Sequence, residues 1–324
     1  MKNTTVLKNQ SEKAILVTKG KPSFLKRFLR EFNRGKYVYL MLVPVVLYYL
    51  IFHYWPMIGI VIAFQDYIPG VGFFESSWVG LKHFTEFFNS YYFWRLIKNT
   101  FLINFWLLIF GFPAPIILAL LLNEVRNRIF KRSVQTITYI PHFISLVVVV
   151  GIIKDFTATD GMINQLRDLM GAGSIPFLQF PEYFRTIYVS SEVWQTIGWS
   201  SIIYFAALSN VNPNLYEAAE IDGAGRFRKM WHITLPAIRP TIVIILILTL
   251  GNLLSTGFEK ILLLYQPLTY ETADVISTYV YRKGIEHSAF SFATAVGLFN
   301  TMVNFTLLII ANAISRRISD NSLW

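Results

Sequence analysis

An unbroken apolar stretch of about 20 residues narrows what a chain can fold into, because at 1.5 Å per residue such a helix crosses the hydrocarbon core of a bilayer. Six stretches of this kind stand in the sequence, at 37–64, 100–123, 134–153, 186–207, 238–258 and 290–313, separated by loops polar enough to be wet. In lipid the backbone groups of such a stretch must be satisfied internally, which a helix does. The expected fold is therefore all-α integral membrane with six transmembrane helices. Only 15% of the residues are charged, against about 25% in a soluble domain.

Basic residues are retained on the cytoplasmic side of a membrane. The segment before Tyr37 carries Lys19, Lys21, Lys26, Arg27, Arg30, Arg34 and Lys36. The loop after the second stretch carries Arg126, Arg128, Lys131 and Arg132, the loop after the fourth Arg226, Arg228, Lys229 and Arg239, and the C-terminal end Arg316 and Arg317. With six crossings all four regions share one side, so both termini are expected to be cytoplasmic. The first stretch lies beyond a long polar tail and lacks a small-residue cleavage site, so it reads as an anchor and not as a cleaved signal. The net charge of +10 is spread over membrane flanks, which argues against nucleic-acid binding. The absence of cysteine removes disulfides, thiolate metal sites and cysteine nucleophiles.

Residues 1–36 form a polar tail. Residues 1–20 lack periodicity and are expected to be disordered, whereas about 23–34 place Phe24, Leu25, Phe28, Leu29 and Phe32 at helical spacing, as in a helix lying in the lipid interface. The first span and its external loop occupy 37–94, the remaining spans lie within 95–315, and a short tail covers 316–324. Prolines at 44, 56, 113, 115 and 141 interrupt spans, where neighbouring helices or waters must satisfy the freed backbone.

No phosphate loop of the form GxxxxGK[ST] occurs, nor HExxH, and the five histidines are scattered, so neither a nucleotide nor a metal site is expected in this chain. The spans hold few ionisable residues at depth. Glu192 is the main exception, with no Lys or Arg inside the membrane to balance it, which gives little support to an ion-coupled secondary carrier acting without an ATPase.

A charged island, "YEAAEIDGAGRFRKMWHITLP", separates the fourth and fifth spans. Asn212 and Pro213 are suited to start a helix there. Gly223 and Gly225 should end it, and a second helix should follow until Pro236 and Pro240 reset the chain. Phe227 and Trp231, four residues apart, are placed to root that second helix, and the whole forms a rigid protrusion.

The island resembles the EAA signature of ATP-binding-cassette importer permeases: EAA, three residues, G, nine residues, I, one residue, LP. All seven fixed positions are present as Glu217, Ala218, Ala219, Gly223, Ile233, Leu235 and Pro236. The resemblance implies a type I importer permease fold, whose shared core domain would begin near Arg95 and occupy 95–315, and a non-catalytic subunit of a bacterial inner-membrane complex. It also implies a coupling loop, 211–237, that docks on a separate ATPase through these residues and Asp222. ATP and Mg would then be bound by two partner ATPase subunits, beside a second permease and an external solute-binding protein. "YVYLMLVPVVLYYLIFHYWPMIGIVIAFQDY", "WVGLKHF" and "YETADVISTYVYRKGI" are similar to permeases for complex oligosaccharides, including alginate-type polyuronates.

Glu192, Gln195, Thr196 and Trp199 share one helix face. With Asn252 and with Thr249 and Ser255 in the fifth span, and with Asn300 and Asn304 in the sixth, they supply the amides and flat aromatic rings that suit a sugar passage. The same residues would equally serve as hydrogen-bonding glue between helices.

Overall fold

A computed structural model describes residues 35–254 and 257–318, the last two by backbone alone. The expected interfacial helix at 23–34, Ser255 and the C-terminal tail beyond 318 lie outside the described residues. The chain divides into two units, Met1–Ile60 and Val61–Trp324.

Twelve helices carry the described architecture. They are α1 (Lys36–Phe64), α2 (Lys82–Phe88), α3 (Phe93–Asn123), α4 (Arg128–Phe143), α5 (Leu146–Thr157) and α6 (Met162–Leu169). Then follow α7 (Pro181–Ser209), α8 (Pro213–Ile221), α9 (Arg226–Gly251), α10 (Phe258–Leu264), α11 (Ile276–Tyr281) and α12 (Phe290–Ile318). A two-residue antiparallel ladder, β1 (Gln65–Asp66) with β2 (Ser77–Trp78), links α1 to α2.

Among the described residues four helices, α1, α3, α9 and α12, are long and apolar enough to cross a membrane, or five if α4 and its continuation are one span. The sequence suggests six. The stretch 134–153 is not one straight helix: α4 and the following segment are bent by 103°. Ile144 is extended at the break (ψ 136), and the Ser145 hydroxyl accepts the Val148 N–H, so a side-chain cap starts a new helix where an apolar run had read as continuous. The stretch 186–207 has length to spare inside the 29-residue α7, but Glu192, Gln195 and its serines dilute its apolar character. α7 tolerates them where it packs against α3, α4, α9 and the segment around Tyr270, with Tyr188, Gly198, Ser201 and Tyr204 buried. A Cβ on Gly198 would stand 2.1 Å from the Thr138 carbonyl oxygen, so only glycine permits the α4–α7 approach.

Prolines bend the chain less than their number suggests. A wide π-turn precedes Pro56 (Leu50–Tyr54), Pro113 (Leu107–Gly111) and Pro236 (Met230–Thr234), and each helix continues through. Proline deletes one i to i−4 bond and its ring crowds the carbonyl of residue i−4. A π-turn opens the coil where that clash would fall. Pro236 and Pro240 therefore do not reset the chain: α9 runs unbroken from Arg226 to Gly251.

The larger unit has three apolar clusters. Ile103, Val149, Tyr188, Ile261 and Val275 lie at the centre of one; Phe87, Leu96, Ile276 and Val296 of another; Ala119, Tyr204 and Ile238 of the third. A polar staple fastens the 270–282 segment to α3 and α7. Asp274, fully buried, accepts from Arg282 at 2.6 Å and Thr278 at 2.8 Å, and Arg95 stands 3.7 Å away. Asn99 donates to the carbonyls of Glu271 and Asp274, and Arg185 donates to the Asn99 side chain at 2.8 Å.

Candidate functional site

Two regions gather the residues singled out in the sequence. The first is the loop between α7 and α9. The Asn212 side chain accepts the Asn214 N–H at 3.0 Å, and Pro213 opens α8 with its φ already suited to the first turn. α8 ends in a Schellman arrangement: Ala224 N–H donates to the Ala219 carbonyl at 2.8 Å, Gly223 N–H to the Glu220 carbonyl at 3.0 Å, and Gly223 sits at φ +71. The glycine of the signature is thus the residue whose backbone must be left-handed. Gly225 has an extended backbone and starts α9.

Two long-range contacts fold the loop back on itself. Lys229 donates to Glu220 at 2.5 Å, and the hydroxyls of Tyr216 and Thr234 meet at 3.0 Å. Lys229 holds the Glu220 carboxyl below the usual carboxylate range. Glu217, Ala218, Asp222, Gly223 and Pro236 are exposed, whereas Ala219, Ile233 and Leu235 are half-buried. Ala219, Asp222 and Ile233 line a cavity of about 320 Å³ with Ala224, Arg228, Lys229 and His232. Phe227 and Trp231 do not root α9: they are 82% and 66% exposed. Thr234 and Ile238, both buried, do that work, so the aromatic pair faces outward and Tyr216, an unremarkable residue in the sequence, supplies the internal brace.

The second region is a cavity of about 580 Å³ between α3, α7 and α9. Glu192, Thr196 and Trp199 line it from α7, Thr249 from α9 and Asn252 from the cap that ends α9. The His142 ring stacks on Trp199 at 4.5 Å and 5° between planes, beside the α4–α5 bend, and fixes the indole plane. Three residues grouped with these in the sequence lie elsewhere. Gln195 points at Lys260, Asn304 accepts the Leu254 N–H at 2.9 Å and so ties α12 to the end of α9, and Asn300 does not line the cavity.

Two residues of this region escaped the sequence reading. Asn104, in α3, lines the cavity; a lone amide in "LINFWLL" was the available signal. Lys260 overturns the expectation that Glu192 has no balancing cation. From α10 its ammonium reaches the Glu192 carboxylate at 2.9 Å and the Gln195 amide oxygen at 3.1 Å, and it lies 5.8 Å from the Tyr188 ring centre. The cue was a single lysine inside "FEKILLL".

Protein LplB of Bacillus subtilis (strain 168) is 46% identical over 92% of this chain and 94% of its own. The polygalacturonan/rhamnogalacturonan transport system permease protein YteP of the same organism is 47% identical over the same shares. A chain from a bacterial alginate ABC transporter, solved in complex with an alginate pentasaccharide-bound periplasmic protein, superimposes with a TM-score of 0.85 at 45% identity, covering 92% of this chain and all of that one. The family described as binding-protein-dependent transport system inner membrane component matches residues 111–320, a range that includes α7, the signature loop and the lysine of α10. The chain accordingly belongs to the family of binding-protein-dependent transport system inner membrane components.

Proposed function

We propose that this chain is one permease subunit of an ATP-driven importer that moves an oligosaccharide, and specifically an acidic one of the uronate type, across a bacterial inner membrane. The observation that carries the reading is the exposed, glycine-terminated signature loop. α8 presents Glu217, Ala218 and Asp222 to the surroundings on a frame braced from within, as a helix docking into a groove on another protein requires. Two ATPase subunits, binding ATP and Mg, are the proposed partners there, with a second permease beside this one and a solute-binding protein delivering substrate from outside. ATP-driven closure of the ATPases moves the docked loop, and the bundle shifts between inward-facing and outward-facing states. Six crossings with both termini cytoplasmic agree with the distribution of basic residues.

The relatives that carry polygalacturonan, rhamnogalacturonan and alginate in their names support the substrate class. The cavity supports it chemically, since Trp199 offers a flat face and Asn104, Thr196 and Asn252 offer hydrogen bonds of the weak, sequential kind a passage needs. An ion-coupled carrier would work alone. The deciding measurement is uptake of oligogalacturonate into vesicles bearing the assembled complex, with and without ATP, alongside co-purification of the ATPase. ATP-dependent uptake, lost together with ATPase retention in Glu217→Lys and Gly223→Pro, is expected. Uptake that persists without ATP or ATPase would sink the proposal.

A further inference from the structure

Among the described residues Glu192 is the one carboxylate on the wall of the 580 Å³ cavity, and its side chain is 30% exposed. Lys260, by contrast, is 3% exposed at its side chain and approaches from behind the wall, between Tyr188 and α10. Its ammonium meets Glu192 at 2.9 Å and Gln195 at 3.1 Å, so the charge that the cavity shows is cancelled by a cation that the cavity does not touch. A buried ammonium is costly unless paired. A hydrophobic residue at 260 would pack among Ile261, Leu264 and Tyr188 without that cost, yet lysine stands there.

We infer that Lys260 is a specificity-determining, positioning residue: it neutralises Glu192 so that an anionic saccharide can pass a wall that would otherwise repel it. Glu192 keeps its oxygen acceptors for sugar hydroxyls while its net charge is balanced. Two like charges about 6 Å apart in a partly screened site disfavour each other by well over a factor of ten, so an unpaired Glu192 would act as a filter against uronates while leaving neutral sugars nearly indifferent. The inference rests on the proposal that the cavity belongs to an oligosaccharide passage.

The test uses the complete importer with its binding protein in vesicles, fed oligogalacturonate or the same oligosaccharide with its carboxyls methyl-esterified. In Lys260→Met the ratio of acidic to esterified uptake should fall about tenfold or more, at unchanged half-saturation by the loaded binding protein, because delivery precedes passage. Lys260→Arg should keep the ratio, and Lys260→Met/Glu192→Gln should restore it. A purely structural role lowers both uptakes together and leaves the ratio where it was, which overturns the inference. Wild-type uptake of the esterified form alone overturns it as well while leaving the oligosaccharide reading intact; wild-type uptake of neither overturns both.

Discussion

The signature loop and the Asp274 staple lie in the same unit and treat charge in opposite ways. In the loop, Glu217 and Asp222 are exposed, Phe227 and Trp231 point away from the fold, and a single ion pair, Glu220 with Lys229, is half in solvent. Around Asp274 a carboxylate with no exposure is ringed by Arg282, Thr278 and Arg95, and Asn99 and Arg185 complete the network. The contrast fits the roles proposed for the two regions. A surface proposed to dock another protein leaves its side chains uncommitted and uses its hydrogen bonds for backbone shape. A staple sets its cations around one buried carboxylate, since a buried charge left alone is expensive.

The strongest way to break the comparison is Asp274→Ala. It strands Arg282 and Arg95 without their carboxylate, and removal of one partner from a buried pair costs about 3–5 kcal/mol. The purified complex should melt markedly earlier, and a melting temperature equal to wild type would show the staple to be dispensable. Gly223→Val comes next. A β-branched residue held at φ +71 costs roughly 1–2 kcal/mol or slightly more. Because the site is open, with nothing near an added Cβ, the damage should be confined to the end of α8. Loss of ATPase retention with little change in melting temperature is expected; a melting shift as large as that of Asp274→Ala would erase the distinction between the regions.

The smallest effect concerns Glu220. Its hydrogen bond and charge contact with Lys229 lower its folded pKa below the ordinary 4.5, so the brace is fully present above that value and is lost as pH falls through the lowered folded value. Amide exchange in residues 213–229 should quicken on acidification through that window and nowhere near neutrality. Glu220→Gln at neutral pH should reproduce the acid behaviour. Equal exchange in wild type and variant at both pH values would mean that the Tyr216–Thr234 contact alone shapes the loop.

Much of the loop was legible from the sequence because its determinants are local. The Asn212–Pro213 start and the Gly223 stop are capping chemistry within a few residues, and the structure places both as read. The apolar stretches are likewise local sums. The third stretch is not one straight helix because Ser145 caps a new helix in the middle of an apolar run, and hydropathy is blind to one hydroxyl. Pro236 and Pro240 misled because their cost depends on whether the preceding turn can widen, and at Met230–Thr234 it does.

What the sequence determined by itself is a mostly helical membrane chain and a loop with a named glycine at its helix break, since hydrophobic length, capping and φ preference act within a few turns. Tertiary structure alone decided that Lys260 reaches Glu192 across 68 residues, that His142 plates Trp199, and that Asn304 serves α9 and not the cavity. Those partners belong to different helices, and nothing in the residues between them specifies the distance; only the packing of α7 among its neighbours brings the charges close enough to cancel.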